Sequence, residues 1–116
     1  MRWVKIDRSE PTLLHDQVAA EIRRAIADGE AKPGERLPPA KDIAAVLKVN
    51  PNTVLRATRI LRDEELLEFR RGRGITVAGG AEKKSAVLQR AAELVRFARR
   101  NGYHRDEIIQ MIERLP

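Results

Sequence analysis

Apolar positions recur along most of this chain with a helical period. Leu14, Val18, Ile22 and Ile26 fall on every fourth residue and Leu13 and Ala25 widen the stripe, so an amphipathic helix is predicted in the segment that Pro11 opens. Gly29 stops it as a left-handed cap, and Lys32-Pro33-Gly34-Glu35 reads as a turn. Ile43, Ala44 and Leu47 then mark a two-turn helix over 40–47, with Pro39 tolerated at its first position. Only Lys48, Val49 and Asn50 separate it from another helix, whose start is signalled by Asn50 as N-cap and Pro51 behind it. This second helix runs to about Glu64 and hides Val54, Ala57, Thr58 and Leu61. At about 100° per residue, its opposite face carries Asn52, Arg56, Arg59 and Asp63, with Thr53 flanking that face near the N-terminus.

After Leu66 the period drops to two. Leu67 and Phe69 alternate with Glu68 and Arg70, and Ile75 and Val77 flank Thr76, which predicts a β-hairpin with the tip Arg71-Gly72-Arg73-Gly74. Ala78-Gly79-Gly80 reads as a flexible joint. Beyond it a helix over 82–100 places Leu88, Ala91, Ala92, Val95 and Ala98 on one stripe with Val87, Leu94 and Phe97 beside it. Gly102 ends that helix, and a last one over 105–115 carries Ile108, Ile109, Ile112 and Leu115. Val4 and Ile6 around Lys5 suggest a short strand over 3–6. The expected architecture is mainly α with a small hairpin: a winged helix-turn-helix domain over 1–79 and a two-helix segment over 80–116.

Composition narrows what such a chain can do. Its 116 residues are 42% apolar with only four aromatics, enough for one small domain whose core is filled by aliphatic side chains. Cysteine is absent, which removes disulfides, thiolate metal sites and Cys nucleophiles. No apolar run approaches a membrane span, and charges interrupt the first residues where a signal peptide needs an apolar stretch, so a cytoplasmic protein is expected. His15 and His104 are lone histidines without ligand partners, and Asp7, Glu10 and Asp16 make a loose acidic cluster, so neither a metal nor a cofactor is expected. The net charge of +6 favours polyanions, and it divides evenly at residue 80, so location matters more than amount.

Location points to duplex DNA. A helix of this kind fits the major groove and presents its first turns to base edges: Asn52 can pair with adenine and Arg56 with guanine, Thr53 adds a hydroxyl, and Arg59, a turn further on, suits a phosphate. Arg71 and Arg73, interleaved with Gly72 and Gly74, can bring guanidiniums and close backbone to a narrow groove. Lys41 lies in the first turn of the preceding helix. Taken singly, Arg56 or Arg59 reads better as a solvated surface residue; the cap, the hairpin and the helix upstream favour DNA.

The run Lys32-Pro33-Gly34-Glu35-Arg36-Leu37-Pro38, then Ile43-Ala44 and Leu47, Val49-Asn50-Pro51-Asn52-Thr53-Val54, Ala57, Leu61, Leu66-Leu67-Glu68 and Arg71-Gly72-Arg73-Gly74 with Val77 resembles the GntR family of bacterial transcription regulators. The short helical tail is similar to the YtrA-like subfamily. The resemblance implies DNA contacts from Arg36, Lys41, Asn52, Thr53, Arg56 and the 71–74 tip. It also implies a homodimeric repressor of a pseudo-palindromic operator, often one controlling a transporter. Four positions depart from the family pattern: Leu55, Pro39, which replaces a small hydroxyl residue, and Lys48 and Glu65, which replace glycines of two turns, the last two each at a strain of about 1 kcal/mol if the backbone there is left-handed. Leu55 stands where a polar residue is common and is open to a thymine-methyl contact or simple exposure.

The tail is expected to pair with a second copy through Leu88, Ala91, Leu94, Val95, Ala98, Ile108, Ile109, Ile112 and Leu115, because the first domain already has helices enough to close its core. So small a helix pair is not expected to enclose a ligand, which leaves any small-molecule effector to the dimer interface. Catalysis is not expected: no nucleophile-base pair, phosphate loop or carboxylate pair is present. The alternative to a sequence-specific regulator is a winged-helix protein-interaction module with only non-specific DNA affinity.

Overall fold

The computed structural model describes Ile6 and residues 13–116. Five helices and one hairpin follow in the order α1 (Leu14–Ala27), α2 (Ala40–Leu47), α3 (Pro51–Asp63), β1 (Leu67–Arg70), β2 (Gly74–Val77), α4 (Ala81–Arg100) and α5 (Arg105–Arg114). The expected strand over 3–6 and the acidic Asp7 and Glu10 lie outside the described residues, except Ile6, which is buried and not in a strand.

α1 is the central element. Val18, Ala19, Ile22, Ala25 and Ile26 are fully buried, because α3 packs on one side of the helix and α4 on the other. From α3 the core takes Val54, Ala57 and Leu61, and from α2 it takes Ile43, Ala44 and Leu47. Arg23 leaves the apolar stripe to grip the C-cap of α3, with its Nε and Nη2 each donating to a Glu64 carboxylate oxygen at 2.8 Å. Next to it Arg24 donates to Glu30, Glu21 and Asp28, and these carboxylates, Glu30 foremost, hold its guanidinium pKa above the ordinary value.

β1 and β2 pair antiparallel with Leu67 opposite Val77, Glu68 opposite Thr76, Phe69 opposite Ile75 and Arg70 opposite Gly74. Leu67 and Val77 are buried, whereas Phe69 is 41% exposed and sits beneath the guanidinium of Arg62, 4.8 Å from the ring centroid. That stacking ties the hairpin to α3. Residues 34–37, where the sequence predicts only a turn over 32–35, form a third edge: Leu37 N–H donates to the Ile75 carbonyl at 2.8 Å, and Val77 N–H to the Glu35 carbonyl at 2.9 Å. Pro33-Gly34 and Pro38-Pro39 punctuate this segment so tightly that no alternation is legible in its sequence.

The expected break at Gly79-Gly80 is not a break in packing. Ala81 belongs to the core, Ser85 is fully buried with its hydroxyl donating to the Arg23 carbonyl at 2.7 Å, and Leu88 packs against the same cluster. Gly80 sits at φ +73° as the N-cap of α4 and turns the chain back onto α1 instead of spacing two bodies apart. Similarly, Pro39 is the N-cap of α2 and not its first residue, and it supplies no side-chain cap.

Lys48 and Glu65 adopt φ of +57° and +65°, the left-handed backbone that glycine tolerates best. Among the described residues the Glu65 carboxylate reaches only Lys84, at 3.8 Å and largely exposed, which adds little. Glu65→Gly is therefore expected to raise stability by about 0.5–1 kcal/mol, read as a higher urea midpoint at unchanged slope.

Candidate nucleic-acid interface

The helix-turn-helix is set by its caps. Lys48 in left-handed geometry closes α2, its amide donating to the Ala44 carbonyl, and two residues later Asn50 Oδ1 accepts from the Asn52 amide at 2.8 Å. The turn fixes how α3 leaves α2, and the cap satisfies an amide that would otherwise be left bare at the helix N-terminus. Pro51 contributes no orphan donor.

Burying Val54, Ala57, Thr58 and Leu61 turns Asn52, Arg56, Arg59 and Asp63 outward, as the wheel requires; all four are exposed and Thr53 is half-buried beside them. Thr58 reconciles its hydroxyl with burial by donating to the Leu55 carbonyl at 2.7 Å. Leu55 itself is half-buried, between the two roles left open for it. Lys41 is exposed on the first turn of α2. Among the described residues none of Arg36, Lys41, Arg56, Arg59, Arg71 or Arg73 has an ion pair, whereas Arg23, Arg24, Arg62, Arg70 and Arg90 are all engaged by carboxylates. The candidate DNA ligands are thus open to an external partner.

The hairpin tip holds Arg71, Gly72 and Arg73, all exposed, between Arg70 and Gly74; the Arg73 amide donates to the Arg70 carbonyl at 3.0 Å. Arg70 is held against the stem by Glu68, which leaves Arg71 and Arg73 as the reaching side chains. Arg36, for which the periodicity predicts no element, belongs to this wing, bridged to Thr76. A side chain at Gly74 would put its Cβ 3.1 Å from Arg36 Nε, at a residue whose φ is +73°. Gly74 therefore serves two needs: the positive φ and the close passage of the Arg36 guanidinium over the wing backbone.

Elsewhere the expected residues separate. Ala98 and Ile108 are buried where α4 turns into α5, and Leu88 lies on the core, so three residues expected at a dimer interface are satisfied within one chain. Val95 is half-buried and Ala91 exposed along a groove, while Leu94, Ile109, Ile112 and Leu115 face solvent together with Val87, Phe97 and Met111. The seven-residue spacing of Val87 and Leu94 was the signal available for that outward stripe. The groove, about 640 Å³ and half open, lies among α1, the C-cap of α3, α4 and the start of α5. The α4–α5 pair does not enclose this space alone, since α1 and the C-cap of α3 supply its other walls. Among the described residues no cluster of three or more His, Asp or Glu is placed to hold a metal, and no helix is long and apolar enough to cross a membrane.

These features define a winged helix-turn-helix protein. Residues 14–77 match the family of bacterial regulatory proteins described as the gntR family, and the chain belongs to it. Over nearly its whole length the chain is similar to the transcriptional repressor YtrA of Bacillus subtilis, 25% identical over 97% of this chain and 91% of that one. It is also similar to the transcriptional regulator Rv1152 of Mycobacterium tuberculosis, 29% identical over 98% and 94%. Among solved structures, YtrA from Sulfolobus acidocaldarius, a GntR-family transcription factor, superimposes with a TM-score of 0.61 at 32% identity over 96% of this chain and 94% of that chain. Streptococcal BusR (S. agalactiae) in complex with its busAB-promotor DNA shares the fold, with a TM-score of 0.62 at 22% identity over 88% of this chain and 52% of that one. The chain is a DNA-binding transcriptional regulator of the GntR family, not an enzyme.

Gly74→Ala is expected to cost about 1–2 kcal/mol, through the positive φ and through displacement of Arg36. In an Arg36→Ala background the cost should be smaller, because the steric part is gone; a double-mutant cycle by chemical denaturation measures the difference.

Proposed function

We propose that the chain is a cytoplasmic repressor that binds a pseudo-palindromic operator as a homodimer, with α3 in the major groove and the 71–74 tip against a neighbouring groove. One observation carries this reading: among the described residues Arg56 and Arg59 of α3, Lys41 of α2, and Arg36, Arg71 and Arg73 of the wing have no carboxylate partner, while Arg62 and Arg70, on the same elements, are held by Asp63 and Glu68. In this reading Asn52, Thr53 and Arg56 discriminate bases, and Arg36, Lys41, Arg59, Arg71 and Arg73 hold phosphates or the groove edge. Gly72 lets the backbone of the tip approach. The subsystem to test first for regulation is a transporter operon, as the subfamily resemblance suggests.

Homodimerisation is supported by the outward apolar stripe. Val87 is 68%, Phe97 60% and Leu115 67% exposed, a density of large apolar side chains that a solitary chain rarely leaves in water. Val87, Leu94 and Phe97 recur at seven and three residues, the spacing of a helix-helix seam, with Ile109, Ile112 and Leu115 on α5 extending the apolar surface. Two α3 helices about 34 Å apart would then read half-sites one helical turn apart, or a multiple of it.

Arg56→Ala is expected to lower the ratio of specific to non-specific affinity by about 1–3 kcal/mol, or about 5- to 150-fold. Arg71→Ala should weaken cognate and scrambled duplexes alike and reduce the salt slope by about 1. Titrations of both duplexes at several salt concentrations check this. A wild-type chain that does not prefer any sequence selected from a random pool would favour the protein-interaction module instead.

Phe97→Glu is expected to give a folded monomer by sedimentation, with duplex affinity at least about 100-fold weaker, because the second half-site is no longer delivered by linkage. A Phe97→Glu chain that still sediments as a dimer would refute the seam.

A further inference from the structure

The groove between α1 and α4 has a chemistry that neither DNA binding nor the outward seam uses. Its floor is apolar, made by Leu88, Ala91, Ala92 and Val95 of α4 with Leu13 at one end. Its rim is cationic, with Arg96, Arg99 and Arg100 of α4 and Arg105 at the first position of α5. Among the described residues none of these four guanidiniums has a hydrogen bond or ion pair. The acidic groups that line the same space are Asp16 and Glu64, and Glu64 is already held by two bonds from Arg23.

The groove has a volume of about 640 Å³, which lies in the range of small-molecule sites. A second copy seated on the outward seam does not fill it, since Leu88, Ala92 and Val95 point roughly 140° around the helix from Val87, Leu94 and Phe97. Among the described residues four guanidiniums line this one space without an acidic partner, so it presents a positive rim that an anion would neutralise. Their planar forks suit the paired oxygens of a carboxylate or phosphate, and the α4 floor suits an alkyl body. We propose that this groove binds a small organic anion with an aliphatic body, its head held by the arginine rim and its chain laid on Leu88, Ala92 and Val95.

Such a ligand would lie against the clamp between α1 and α3. Arg23 and Glu64 both line the groove, and Glu64 is the C-cap of α3, so an anion offers Arg23 a second acceptor at the far end of the DNA-reading helix. Occupancy is therefore expected to change duplex affinity. That coupling rests on the DNA-binding reading; the site itself does not.

The test titrates the full chain by calorimetry with octanoate and octyl phosphate, using acetate, inorganic phosphate and 1-octanol as head-only and body-only controls. At least one octyl anion should saturate one site per chain and bind at least tenfold more tightly than every control; which one does so identifies the head group. Ala92→Trp, which fills the floor, and Arg99→Gln, which removes a rim charge, should each weaken it at least tenfold at unchanged helix content and sedimentation. Should Ala92→Trp fail to fold, Arg99→Gln carries the test. Absence of saturable binding, octanol binding as tightly as the anions, or indifference of a folded Arg99→Gln chain overturns the site. An anion that binds without changing duplex affinity overturns the coupling alone, and a chain with no duplex affinity overturns the DNA reading while leaving the calorimetric result to stand.

Discussion

The structure depends on one helix being buried from two directions. α1 presents Val18, Ile22 and Ile26 to the core and is covered by α3 and α4 at once, so the DNA-reading helix and the tail are both referenced to the same rod. Arg23 makes the reference electrostatic as well as apolar: its side chain, about 10% exposed, fixes Glu64 at the end of α3, and its carbonyl accepts from Ser85 of α4. Losing either contact would leave a polar group stranded in low dielectric, which costs more than the bond itself contributes.

From that constraint the DNA face follows. α3 can bury only one stripe, so its other residues are turned out, and the cap at Asn50 fixes where its N-terminus begins. The wing is aimed by three separate ties: Arg62 over Phe69, the ladder to residues 34–37, and Arg36 lying along Gly74. Each is modest alone. Together they give a two-stranded hairpin, marginal by itself in water, a fixed direction.

Charge is partitioned the same way. The +6 excess, carried by 17 Arg and 6 Lys, does not form a diffuse cloud. Among the described residues Arg23 and Arg24 of α1 are consumed by carboxylates, Arg56 and Arg59 of α3 and Arg71 and Arg73 of the wing tip are left free, and a third group gathers on the rim of the groove beside α4.

The sequence alone determined the helices, the hairpin and the outward face of α3, because periodicity, Asn50-Pro51 and the glycine-rich tip are local signals whose meaning does not depend on distant residues. That Lys48 and Glu65 stand where the family has glycine was legible only through the resemblance, and the structure decided that both keep the left-handed backbone. What only the tertiary structure decided was where α4 goes. Its apolar residues cover more than one stripe, and a periodicity cannot say which stripe meets α1, which meets α5 and which is left to water. Ala81, Ser85 and Leu88 went to the chain's own core, Ala98 and Ile108 to the α4–α5 corner, and Leu94 and Phe97 outward. The pairing of residues 34–37 with β2 and the groove behind α3 were illegible for the same physical reason. Both are built from segments far apart in sequence, whose contacts exist only once α1 has brought them together.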